Sequence, residues 1–88
     1  MMAHAENGET AETMRKRSVV VAGHRTSVSL EGAFWGGLKK IAERRGVSVN
    51  RLVESIDEGR ATNLSSAIRV FVLKWFQDGE SDELSRVQ

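Results

Sequence analysis

Polar and apolar residues alternate along Arg25-Thr26-Ser27-Val28-Ser29-Leu30, and the period then changes to that of a helix. A period of two belongs to a strand with one buried face, which predicts Thr26, Val28 and Leu30 inward and Arg25, Ser27 and Ser29 outward. From Glu31 to Arg45 the apolar residues Phe34, Leu38, Ile41 and Ala42 recur at i, i+4, i+7 and i+8, one face of a helix. Gly46 follows as a C-terminal stop, with Arg44 and Arg45 in the last turn, where the helix dipole favours cations. Gly36 and Gly37 inside that helix each cost about 1 kcal/mol relative to alanine, which points to close packing. Ser48 is a suitable N-cap for a second helix carrying Val49, Leu52, Val53 and Ile56 and ending near Asp57-Glu58-Gly59. Asn63 can cap a third, from Leu64 to about Gln77. Nine of the thirteen residues from Leu64 to Phe76 are apolar, more than one buried face requires. The "VFVL" within it leaves a strand possible, but the length of the run and its cap favour a helix.

A strand leaves backbone donors and acceptors on its edges, so the segment at 25–30 needs a partner. Pairing with its own copy across a two-fold axis is the simplest solution, giving an intermolecular antiparallel ribbon. Upstream, "RKRSVVVAGHR" offers three valines, which favour extended backbone, and Ala22-Gly23 as a bend. It reads either as a separate strand or as an extension of the next one, and a hairpin through Ala22-Gly23-His24 would compete with the intermolecular ribbon. The fold class is therefore mainly α with one short β-strand. The expected divisions are an acidic disordered tail at 1–14, a strand-helix-helix domain with its basic leader at 15–59, an additional helix at 60–77 completing the core or an interface, and a polar tail at 78–88.

At 88 residues the chain holds one domain at most, with roughly sixty residues able to form a core, a size at which oligomerisation is a common remedy. The absence of cysteine removes disulfides and thiolate metal sites and fits a cytoplasmic setting. No apolar run approaches the ~20 residues of a membrane span, and the first residues lack the pattern of a signal peptide. The net charge of +1 is uneven: −3 over residues 1–14, +5 over 15–60 and −1 over 61–88. A basic middle suits a polyanion. His4 and His24 have no partners at ligand spacing, so no metal or cofactor is expected. Glu54, Asp57 and Glu58 read as a solvated helix end, and no nucleophile-base pair or phosphate loop supports catalysis. Trp35, Phe71, Trp75 and Phe76 fit a core or dimer contact.

In order and spacing, "RTSVSLEGAFWGGLKKIAERRGVSVNRLVESI" at 25–56 resembles the ribbon-helix-helix family of Arc- and MetJ-type repressors. The features that match are the alternating strand, a helix of about four turns, the Gly46-Val47-Ser48 turn and an apolar second helix. The longer frame, with "NLSSAIRVFVLKW", is similar to short bacterial members with an added C-terminal helix. The resemblance implies an intertwined homodimer that binds double-stranded DNA as a transcriptional regulator, its ribbon in the major groove. It places base reading on Arg25, Ser27 and Ser29, and a phosphate clamp on Ser48, Val49, Asn50 and Arg51. Arg15, Lys16, Arg17, Lys39 and Lys40 become candidate contacts to the DNA backbone. Thr26 stands where the family shows a larger apolar residue. The alternative is a protein-interaction module, antitoxin- or adaptor-like, that binds a partner through residues 64–76.

Overall fold

The computed structural model describes residues 11–87, in the order β1 (Met14–Val21), β2 (His24–Glu31), α1 (Gly32–Arg45), α2 (Val49–Gly59) and α3 (Leu64–Val87). Most of the expected acidic tail lies outside the described residues.

The valine segment is a strand in its own right. β1 and β2 pair antiparallel from Met14↔Glu31 to Val21↔His24, closed by a two-residue turn. Ala22 and Gly23 both take positive φ, 53° and 79°, as a type I′ turn requires. One expectation changes here: the described residues hold two strands rather than one, and β2 pairs with β1 of its own chain. The physical reason is closure length: a two-residue turn brings β1 alongside β2 at little entropic cost, and Val19-Val20-Val21 suits the pleat.

β2 runs straight into α1. Glu31 is extended (φ −62°, ψ 148°), and Gly32 N–H donates to the Thr13 carbonyl at 2.9 Å, so the ladder supplies a partner for the helix's first amide. At the other end Gly46 is left-handed (φ 69°). Its N–H donates to Glu43 O, and Val47 N–H donates to Ala42 O, the paired bonds of a Schellman stop. Ser48 Oγ accepts from Arg51 N–H at 3.0 Å and Asn63 Oδ1 from Ser66 N–H at 2.9 Å, so both expected caps are in place. α3 continues past Gln77, where its apolar run ends, through residues whose polarity predicts a tail; with no proline in the chain, nothing forces an earlier stop.

The core lies between the inner face of the hairpin and the three helices. Leu30, Leu38, Ile41, Val53 and Ile68 are fully buried, with Val19, Val28, Trp35, Ala42, Leu52 and Val72 around them. Thr26 is half-buried at the edge of this layer. Gly37 lies against α3: a Cβ there would fall 2.8 Å from Val72 Cγ1. Gly36 has no such neighbour, so the expected close packing holds for one glycine of the pair.

Candidate nucleic-acid interface

Directly opposed residues of a sheet share a face, so the register sorts the hairpin's side chains. Arg15, Arg17, Val19 and Val21 stand on the core-facing side with Leu30, Val28, Thr26 and His24. Lys16, Ser18 and Val20 stand on the outer side with Ser29, Ser27 and Arg25. Arg25 and Ser27 are exposed there, as the alternation predicts. Ser29 is half-buried, and its carbonyl accepts a long 3.4 Å bond from Ser65 Oγ of α3. At the far end of this face Glu31 is held by Arg69 of α3, Nε to Oε1 at 2.9 Å. That bond first, and Glu31's own backbone amide second, lower its carboxyl below the ordinary 4.5. The carboxylate therefore stays ionised and paired to lower pH than a free one.

Two side chains tie β1 to the helices, a role the sequence did not assign to either. Asn50, in the first turn of α2, meets Val20 as a neighbouring strand would: Val20 N–H donates to Oδ1 at 2.8 Å, and Nδ2 donates to Val20 O at 3.0 Å. Trp35 Nε1 donates to the Arg15 carbonyl at 3.0 Å. Because Val20 lies opposite Arg25, the Asn50 clamp sets the N-terminus of α2 beside the ribbon at the level of Arg25. Asn50→Ala removes both bonds at once and is expected to cost about 1–2 kcal/mol. The loss should show as a lower urea midpoint and faster amide exchange at Val20, and a midpoint equal to the native one would discount the clamp.

The remaining candidate residues divide by place. The Asn50 side-chain amide is committed to Val20, which leaves its main-chain N–H for the expected phosphate role. Ser48 Oγ is engaged in capping, while Val49 and Asn50 keep the main-chain amides that a helix's first turn leaves without intrahelical acceptors. Arg51 is a well-exposed side chain with a loose 3.7 Å contact to Glu54. Arg15, Arg17, Lys39, Trp35 and Val49, with Gly32 and Gly36, line a cleft of about 250 Å³ between the hairpin and α1. The Arg17 guanidinium lies 5.3 Å from the Trp35 ring centroid, a cation–π distance. Lys40 is exposed and is not among the residues lining that cleft. Among the described residues no group of His, Asp or Glu could hold a metal ion, and no helix is long and apolar enough to cross a membrane.

This arrangement of ribbon, helix and capped helix defines a class. A sequence profile of the ribbon-helix-helix domain matches residues 14–76, most of the chain, and the protein belongs to that family. Its members are typically DNA-binding regulators rather than enzymes. Among solved structures it is similar to an uncharacterized protein from Bordetella pertussis Tohama I. The two are 32% identical, with a TM-score of 0.72 over 85% of this chain and 64% of that one. This chain thus spans somewhat less than two thirds of that protein's length. No curated protein matches it.

Proposed function

We propose that this protein is a sequence-specific, double-stranded-DNA-binding transcriptional regulator of bacterial, cytoplasmic type, acting as a homodimer. The observation that carries this reading is the outer face of the hairpin, which presents exposed Arg25 and Ser27 on a two-stranded ribbon of the width the major groove admits. The α2 N-terminus stands beside it at the level of Arg25. Arg25 is suited to a bidentate contact with guanine, and the serine hydroxyls to a less strict reading of either donors or acceptors. The free amides of Val49 and Asn50, with the helix dipole, favour a flanking phosphate. Lys39, Lys40 and Arg51 add charge to the DNA backbone contact, and two copies of the basic segment at 15–60, each +5, give a steep salt dependence. Two-fold symmetry of the dimer predicts inverted-repeat half-sites.

The test is selection of bound duplexes from a random pool at ~150 mM salt, near physiological ionic strength. The native protein should enrich an inverted repeat, and Arg25→Ala should lose about tenfold discrimination at one position of each half-site. Enrichment of nothing by the native protein would reject the reading. The second reading, a protein-interaction module, would then take its place. It is favoured by one observation: Val70 and Leu73 are both 54% exposed and, with Phe76, form an uncovered apolar stripe along α3.

A further inference from the structure

The basic triplet Arg15-Lys16-Arg17 is divided by the strand's parity, and the division carries a consequence for what is read. Arg15 and Arg17 stand on the core-facing side of β1 and line the cleft beside Trp35. Lys16 is exposed on the outer side, opposite Ser29, and Ser18 is exposed opposite Ser27. Val20 turns its N–H and C=O away from β2 to Asn50, which makes Val20↔Arg25 a non-hydrogen-bonded pair. By alternation Ser18↔Ser27 and Lys16↔Ser29 are of the same kind, the pairs whose side chains stand closest across a ribbon. The outer face thus includes a block of six residues from two strands of different sequence.

We propose that Lys16 and Ser18 read base edges together with Arg25, Ser27 and Ser29, so that the two strands of the hairpin recognise different bases. This rests on the DNA-binding reading above. Lys16 and Arg25 stand on opposite strands and opposite ends of the block, four residue steps or roughly 13 Å apart along the ribbon. At about 3.4 Å per base step, that separation addresses guanines some four steps apart. Val20, 40% exposed beside Arg25, supplies an apolar contact of the kind that suits a thymine methyl. The single carboxylate on this face, Glu31, is neutralised by Arg69 and does not oppose a base acceptor.

The decisive experiment is duplex selection with the full-length native protein, Lys16→Gln, Arg25→Ala and Arg17→Gln in parallel. Lys16→Gln should relax base preference by about tenfold at a position distinct from that relaxed in Arg25→Ala. Arg17→Gln should leave the ranking of sequences intact. A Lys16→Gln protein that binds every duplex more weakly by one common factor, its ranking unchanged, overturns the proposal and makes Lys16 a phosphate contact. Enrichment of nothing by the native protein is a different failure, since it removes DNA reading altogether. The Lys16 side chain is exposed, so the variant is expected to fold; a thermal melt matching the native one verifies this.

Discussion

Replacing Trp35 by alanine is expected to cost about 3–5 kcal/mol, the range for truncating a large buried aromatic. The ring is 6% exposed within the core and bears Arg17 on one side. Its Nε1–H also donates to the carbonyl of Arg15, so the variant loses packing and a tie between β1 and α1 at once. A domain of this size is stable by about 5–10 kcal/mol, so the variant should be close to unfolding at room temperature. Urea unfolding followed by circular dichroism reads the effect. Trp35→Phe separates the two contributions, since it keeps most of the ring and drops only the hydrogen bond, at about 1 kcal/mol. If alanine and phenylalanine prove equally mild, Trp35 is not a wedge between the ribbon and α1.

Gly36 and Gly37 offer the second large effect, and its sign reverses between neighbours. A Cβ at Gly37 meets Val72 Cγ1 at 2.8 Å and Phe76 Cε2 at 3.4 Å. Val72 is buried and β-branched, so it cannot swing aside, and α3 has to move instead. Gly37→Leu is therefore expected to cost about 1–3 kcal/mol as overpacking, even though leucine is the better helix former. Gly36→Ala meets nothing within 4 Å and should gain up to about 1 kcal/mol from propensity alone. For a domain this small the gain corresponds to a melting temperature roughly 4–8 °C higher, with the Gly37 variant shifted downward by at least as much. Two upward shifts would mean that α3 does not lie against α1 at this point.

The parts of the fold governed by chemistry within one or two turns were legible in the sequence. Gly46, Ser48 and Asn63 end or begin their helices as their side chains and φ preferences dictate. The stripe starting at Phe34 found Leu38, Ile41 and Ala42, but Trp35 fell beside it because the buried face of α1 is wider than a single i, i+4 row. Period two in 26–30 stated which face of β2 is buried. It is silent about which strand lies alongside, and "VVV" does not alternate at all. The deciding turn carries Ala22 at positive φ, where asparagine or glycine would have been the readable signal. The Asn50 clamp joins residues thirty positions apart and leaves no mark on local pattern. The candidate site divides in the same way. Exposure of Arg25 and Ser27 followed from alternation, whereas the separation of Lys16 from Arg15 and Arg17 required the register.

The two-residue link between β1 and β2 also sets the kinetic order in which the ribbon comes into being. A ribbon shared between chains exists only after a bimolecular encounter, and its population falls on dilution. Closure through Ala22-Gly23 is unimolecular, on the microsecond scale of hairpin formation. Closing the hairpin therefore carries no concentration dependence of its own, whereas any contact between two copies of it does.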